Sequence, residues 1–352
     1  MSSIVTQSPS QHLAAILPSK GSPLQVTQRP TPTPGPNDLL IEVKSIALNP
    51  IDYYQRDYGF PTIAFYPSVL GSDIAGIVIS TGSSVPSDAP QPGTRVAAFA
   101  PCFFVQGAPD YGAFQTRVLV PAVNVVPLPQ GMSFNEAALL PMAVLTGWSA
   151  FHSIGVARDT MHAAVDKQGM LVWGGASSIG SGMVQMATLM GFKVYATASA
   201  KHHEYLKSLG ASKVFDYRDE EVVGKIVKAA REDGVTIQTG YDAAGQLKSC
   251  LDILKELKGE GKAKLASAIP LSADSPKMEE VEVKFVQAPA GEEERTEFFH
   301  FVFRVWLKER LEKGEFVPSP KIKVVGKGLE SVAKGLDELK QGVSGVKLVV
   351  EL

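Results

Sequence analysis

The sequence predicts an α/β protein: a parallel sheet covered by helices on both faces, joined to an irregular β-barrel. Two textures in the chain and one glycine-rich turn predict it. Residues up to about 132 are rich in proline, glycine and short β-like runs, and short strands separated by turn signals build barrels. From Ser133 apolar runs alternate with helix-like stretches, the pattern of a parallel sheet with crossover helices. The stretch LVWGGASSIGSGM, beginning at Leu171, carries an apolar strand through small residues into a helix.

The barrel strands are expected in LLIEVKSIALNP at 39–50, AGIVIST at 75–81, TRVAAFA at 94–100 and AFQTRVLVP at 113–121. The sheet strands follow in GMLVWGG, FKVYATAS, SKVFDY, IQTGYDAAG, KAKLASAI and VEVKFVQA. The run EEERTEFFHFVFRVWLKERLEKGEF then places Phe298, Phe301, Val302, Val305, Trp306 and Leu311 at helical spacing, with acids first and bases later. This predicts an amphipathic helix whose apolar face packs in the core, or shapes a pocket for an apolar chain. The tail from Pro320 reads as strand, helix and strand and returns to the earlier β texture. The expected division is therefore 1–132 with 315–352 in one domain, and 133–314 in the other.

Composition bounds the function. The chain has 352 residues, 45% hydrophobic and 20% charged, with a formal net charge of -2 and no sustained basic run. Neither nucleic acid nor an anionic membrane is expected as partner, which leaves small-molecule chemistry. Cys102 and Cys250 are the two cysteines, far apart and outside any CxxC pattern, so no disulfide framework is expected. The N-terminal MSSIVTQSPSQHLAAILP lacks a basic segment followed by a long apolar core, and no later stretch reaches the roughly 18 apolar residues of a membrane span. A cytoplasmic location is expected.

The glycine-rich turn has a chemical use. Gly174 and Gly175 permit a tight corner, Gly180 and Gly182 let a helix approach the strand, and Ser177, Ser178 and Ile179 fall at the helix start. Unpaired N–H groups there, with the positive end of the helix dipole, attract a phosphate. The same residues also suffice for a plain strand-to-helix corner. Beyond the next strand stand Ser199 and Lys201, where an NAD-selective domain presents an acid to the ribose. A carboxylate would repel a 2′-phosphate, whereas serine can hydrogen-bond it and lysine neutralise it, so NADPH is the expected cofactor. The alternative for Lys201 is a solvated surface side chain.

With ALNPIDYYQRDYG, YPSVLGSDIAGIV, YGAFQTRVLVPAVNVVPLP, AALLPMAVLTGWSAF, VWGGASSIGSGMVQMA, YLKSLGASKVFDYRD and GVSGVKLVVEL in order, nearly the whole chain resembles the medium-chain dehydrogenase/reductase superfamily. Within it the chain resembles the zinc-independent quinone-reductase-like and enoyl-reductase-like branch, and most of all fungal oxidoreductases that include trans-acting enoyl reductases of polyketide synthases. The resemblance implies a GroES-like β-barrel domain built from both chain ends, a doubly wound Rossmann domain, and an active site in the cleft between them. GGASSIG matches the branch's small-residue phosphate turn, with serines in place of its middle glycines. Zinc dehydrogenases of the superfamily carry a Cys in the first of these regions and a His-Glu pair in the second. Here stand Asn49, Pro50 and Asp52, then Gly71, Ser72 and Asp73, so no metal is expected.

The resemblance also implies roles. Asn49, Pro50 and Lys347 fall at cofactor-contacting positions, Tyr217 at an adenosine-phosphate contact, and Thr146 beside the nicotinamide; Ala268 and Ile269, at the end of an expected strand, should approach the nicotinamide because ligands gather at strand carboxyl ends in open α/β sheets. Tyr53 is the candidate donor to a substrate carbonyl, with Tyr54, Phe285 and Val286 along the substrate path. For the tyrosines, Thr146 and the strand-end residues, ordinary core packing is the alternative. His152, His162 and His300 lie outside any metal-ligand pattern and read as structural or surface residues.

A zinc-free reductase of this kind delivers hydride to the β-carbon of an activated C=C bond, the conjugated carbonyl taking up the charge. The expected substrates are enones, enals, quinones or enoyl thioesters, free or carried on an acyl carrier of a polyketide synthase in secondary metabolism. A non-catalytic NADPH-binding protein is the reading from another class. Both monomer and homodimer are compatible with the resemblance.

Overall fold

The computed structural model describes residues 10–352. The reading of the N-terminal stretch falls partly on residues 1–9, outside the described residues. Along the chain come β1 (Gln11–Leu17), β2 (Gln25–Pro30), β3 (Asp38–Ala47), α1 (Pro50–Tyr58), β4 (Ser68–Val69), β5 (Asp73–Thr81), β6 (Arg95–Phe99), β7 (Arg117–Pro121), β8 (Val125–Pro127) and α2 (Phe134–Ala137). An α/β series follows: α3 (Leu140–Ser153), β9 (Gln168–Trp173), α4 (Ser178–Leu189), β10 (Lys193–Thr197), α5 (His203–Ser208), β11 (Lys213–Phe215), α6 (Val222–Glu232), β12 (Thr236–Asp242), α7 (Leu247–Leu257), β13 (Ala263–Ser267) and β14 (Val281–Phe285). The chain ends with α8 (Glu292–Phe299), a π-helix (His300–Leu307), α9 (Lys308–Glu312), β15 (Lys321–Lys327), α10 (Ser331–Gln341) and β16 (Val346–Glu351).

Two compact units result. The first takes the described residues up to Pro141 with Ile322–Val343 and Lys347–Leu352; the second takes Met142–Lys321 with Ser344–Val346. The sequence reading set the breaks at 132/133 and 314/315, several residues earlier. Packing accounts for the difference. Ser133 caps α2, Asn135 on α2 accepts from Ser45 Oγ at 2.5 Å and donates to Glu351 at 2.7 Å, and the Arg95 guanidinium lies over Phe134. These contacts bind α2 to the first unit. At the other end Gln185 on α4 donates to the Val317 carbonyl and the Ser319 hydroxyl, which keeps that segment with the second.

The first unit is the GroES-like β domain. Its larger sheet runs β15-β16-β3-β5-β6-β8, with β7 also on β3, and a smaller one runs β2-β1-β4. β3 lies inside this sheet, paired on both edges, and is nearly all buried, with Leu39, Leu40, Ile41, Val43, Ile46 and Ala47 in the core. β5 comes so close to it that a Cβ on Gly76 would stand 2.1 Å from the Glu42 carbonyl oxygen, beside an irregularity in the register.

The second unit is the Rossmann domain: six parallel strands in the order β11-β10-β9-β12-β13-β14. The order reverses between β9 and β12, the switch point at which such sheets bind ligands beyond the strands' carboxyl ends. On one face Ile226, Ala230, Cys250, Ile253 and Leu254 from α6 and α7 pack on Leu171, Ile237 and Leu265 from the strands.

The amphipathic run departs from its expected face. Phe298, Val302, Trp306 and Leu311 are buried as the 3.6-residue spacing requires, but Val305 is 47% exposed, and Phe299, Phe303 and Leu307 turn inward. The cause is the π-helical turn across His300–Leu307, whose wider i→i+5 bonding shifts the apolar stripe around the axis. The aromatic cluster it serves centres on Trp148, with Phe301 at 4.8 Å and Trp306 at 5.6 Å between ring centroids. These aromatics form core.

Among the described residues no helix is long and apolar enough to cross a membrane.

Candidate active site

In the second unit the candidate site begins where β9 ends. Gly174 takes a left-handed backbone, φ 82°, and its N–H donates to Thr197 Oγ1 at 3.0 Å. The Gly175 N–H donates to the Thr197 carbonyl at 2.8 Å, so β10 fixes the corner. Ser177 caps α4: its Oγ accepts the Gly180 N–H at 3.0 Å and donates to the Gly174 carbonyl at 2.9 Å. Gly180 is required by space, since a Cβ there would lie 2.3 Å from the Gly174 oxygen and 2.8 Å from Ser177 Oγ.

Ser178 and Ile179 occupy the first turn of α4, where backbone N–H groups have no intrahelical acceptor. The Ser178 hydroxyl is buried without a partner. The donor set, the close glycine cradle and this unpartnered hydroxyl fit the phosphates of a dinucleotide.

Ser199 and Lys201 stand in the loop after β10, the first buried and the second exposed. Tyr217 stands after β11 with 49% of its surface exposed, so it does not pack as a strand-end core tyrosine. The sequence shows no acid after β10, yet the fold brings one there: Asp216, after β11, accepts the Ala200 N–H at 3.1 Å. Local spacing gives no signal for this, because the contact depends on the pairing of β10 with β11.

Beyond β12 and β13 opens a cleft of about 410 Å³, lined among others by Gly245, Gln246, Ser267, Ile269, Pro270 and Asp274. Ile269 is exposed to it, and the half-buried Ala268 is tied through its N–H to the Asp242 carbonyl at 2.9 Å. The Asp242 side chain lies at the end of β12, before the loop that lines the cleft. It is fully buried, one oxygen accepts the Ala244 N–H at 2.9 Å, and the other has no partner. Burial pushes its carboxyl up, against the pull of the loop N–H groups of Ala244, Gln246 and Gly245. Sequence reasoning passed over it as the end of a strand.

Phe285 and Val286 are half-buried at the end of the outer strand, where the Val286 N–H donates to the Ser267 carbonyl. Thr146 is half-buried on α3.

The first unit gathers the remaining candidates on and under α1. The Asn49 backbone N–H donates to Asp52 Oδ2 at 2.8 Å, closing the first turn, and Pro50 opens the helix, where its missing N–H costs nothing. Under that turn lies a buried polar group: Asn49 Nδ2 donates to Asp73 Oδ2 at 3.0 Å, and Lys347 Nζ donates to Asn49 Oδ1 and to Asp73 Oδ2. Asn49 and Lys347 are both 4% exposed. Their polar groups are thus engaged with each other beneath α1.

Tyr53 and Tyr54 are half-buried on the helix, with ring centroids 4.6 Å apart at 69°. Burial, then the hydrogen bond with Tyr54, pushes the Tyr53 phenol up, so it keeps its proton and can donate at neutral pH. Burial likewise pushes the Cys102 thiol up, which leaves it unreactive. Among the described residues no group of three or more His, Cys, Asp or Glu is placed to hold a metal ion.

Comparison with known proteins agrees with this architecture. Residues 35–130 match the family model of the alcohol dehydrogenase GroES-like domain, and residues 178–268 that of zinc-binding dehydrogenases. A trans-enoyl reductase of Aspergillus flavipes is 50% identical over 97% of this chain and 99% of its own. Another, of Aspergillus terreus, is 52% identical over 78% of this chain and 91% of its own. Among solved structures, the quinone oxidoreductase of Pseudomonas syringae pv. Tomato aligns over 97% of this chain and all of its own, with a TM-score of 0.71 and 25% identity.

Proposed function

Because this chain belongs to the medium-chain dehydrogenase/reductase family, we propose that it is an NADPH-dependent, zinc-independent reductase of activated C=C bonds, working in trans on acyl chains carried by a polyketide synthase. The observation that carries the zinc-independent part is the buried Lys347 ammonium on Asn49 and Asp73. Asn49, Ser72 and Asp73 stand where the zinc-dependent branch has its ligands. An amide, a hydroxyl and a carboxylate already paired with a cation make a poor site for Zn²⁺.

The nicotinamide, when bound, supplies the hydride. The chain's own residues bind, orient and donate. Ser178 and Ile179 take the pyrophosphate at the start of α4, and Ser199, Lys201 and Tyr217 take the 2′-phosphate. Ala268, Ile269 and Thr146 bound the nicotinamide side. Asn49 and Lys347 act from beneath α1, fixing the turn that carries Tyr53. Tyr53 donates a hydrogen bond to the substrate carbonyl, where charge gathers as the C=C bond is reduced. Tyr54, Phe285 and Val286 shape the path of the acyl chain.

Two Aspergillus relatives are trans-enoyl reductases, and a reductase that acts in trans works on a chain carried by a separate protein, which supports the synthase partner. The test is loss of NADPH absorbance over a panel of enals, enones, quinones and free enoyl thioesters, with a synthase-loaded acyl chain alongside. Turnover of the loaded chain above all others is expected. Binding of NADPH with turnover of none would favour a non-catalytic binding protein.

A further inference from the structure

Asp216 lies beyond the last residue of β11, but its carboxylate reaches the loop after β10, where Oδ2 accepts the Ala200 N–H at 3.1 Å. Ala200 stands between Ser199 and Lys201. The acid therefore sits on the backbone between the two residues assigned above to the 2′-phosphate. Arg218 closes over the same carboxylate, with Nε 3.0 Å from Oδ1, Nη2 2.7 Å from Oδ2, and its backbone N–H 3.0 Å from Oδ1.

The guanidinium holds the Asp216 carboxyl well below the usual carboxylate range, so the group is charged at neutral pH. A bare carboxylate at this place would act like the acid of an NAD-selective domain: it would accept from the ribose hydroxyls and repel a 2′-phosphate. A carboxylate matched by a two-pronged guanidinium has its charge offset and its lone pairs occupied.

We infer that Arg218 is a specificity-determining residue that shields Asp216, so that the Ser199–Lys201 loop accepts a 2′-phosphate although an acid lies against it. This rests on the NADPH reading above. Lysine could not substitute fully, because its point charge lacks the planar fork that meets both carboxylate oxygens.

The experiment measures dissociation constants for NADPH, NADH, 2′,5′-ADP and 5′-AMP by titration calorimetry, in the parent, in Arg218→Ala, and in Asp216→Asn with Arg218→Ala. In Arg218→Ala, NADPH and 2′,5′-ADP are expected to weaken about ten-fold, as a unit charge near a dianionic phosphate does at a solvent-exposed site. NADH and 5′-AMP should hold or tighten. The double variant should recover most of the NADPH affinity, since asparagine removes the charge while its oxygen can still accept the Ala200 N–H. A double variant as weak for NADPH as Arg218→Ala overturns the shielding role and makes Arg218 a direct phosphate ligand. Equal weakening of all four ligands also overturns it. A parent that binds NADH as tightly as NADPH overturns the cofactor reading and this inference together.

Discussion

Lys347 and Asp73 form an ion pair inside the first unit, Nζ 3.2 Å from Oδ2, with 5% and 0% of their side chains exposed. Removing one partner leaves a buried charge uncompensated, which costs about 3–5 kcal/mol. Lys347→Met is therefore expected to lower the stability of the chain by that order, read as a shift of the urea midpoint. Lys347→Met with Asp73→Asn should lose less, because neither charge then remains. A single-variant loss below about 1 kcal/mol would mean that water reaches the pair.

The same ammonium disfavours a second cation. The purified protein is expected to contain no stoichiometric zinc, and chelators should leave its reductase activity intact. Elemental analysis before and after dialysis against a chelator is the measurement. One tightly held zinc per chain, lost together with activity, would contradict the zinc-independent reading.

Asp52 gives the first unit a pH dependence of definite sign. Its carboxyl is fully buried, and burial, with the Asp73 charge adding and Lys347 and the Asn49 N–H opposing, raises it from 3.8 to about 7. A carboxyl raised in the folded state contributes stability that is complete below its unfolded value and lost as pH rises through its folded value. The window runs from about pH 4 to about pH 7, and a shift of this size corresponds to on the order of 4 kcal/mol. Asp52→Asn can still accept the Asn49 N–H, so it should flatten the slope and unfold at higher denaturant than the parent at pH 8. Parallel stability curves for the two proteins between pH 5 and 8 would show that Asp52 stays ionised.

What was legible in the sequence was local. The strand-to-helix turn at Leu171, the alternation of strand and helix beyond it, and the return of the tail to the β domain are patterns of neighbouring residues, and the fold reproduces them. Contacts across long separations were not legible. Lys347 meets Asp73 across 274 residues, and Asp216 meets Ala200 only because β10 and β11 pair side by side. The exposed Val305 was misassigned for a different reason: periodicity assumes 3.6 residues per turn, and the π-helix there has more.

Tyr53→Phe removes the phenol and keeps the ring against Tyr54. If the phenol meets charge that develops only as the C=C bond is reduced, its loss lowers turnover and leaves cofactor binding unchanged. A fall in kcat of about ten- to a hundred-fold is expected, the span of one donor worth roughly 1.5–3 kcal/mol. Single-turnover kinetics on an enone, with NADPH affinity measured separately, reads both quantities. Unchanged turnover on a proven substrate would leave solvent as the proton source and give Tyr53 a packing role alone.

Lys201 is exposed in the loop after β10, next to the Ala200 N–H that Asp216 engages. Of Ser199, Lys201 and Tyr217 the lysine alone carries a positive charge, so under the NADPH reading it is the one to meet the charge of the 2′-phosphate. A charge-assisted hydrogen bond of this kind changes affinity by about one to two powers of ten. Lys201→Ala should therefore weaken NADPH by that factor and leave NADH, which has no 2′-phosphate, nearly as it was. The ratio of the two dissociation constants in parent and variant is the measurement, because a folding defect would weaken both cofactors and cancel in the ratio. Added salt should narrow the difference between parent and variant for NADPH, since an exposed charge pair is screened. Loss for neither cofactor would put Lys201 in solvent and leave Arg218, Ser199 and Tyr217 to account for any preference.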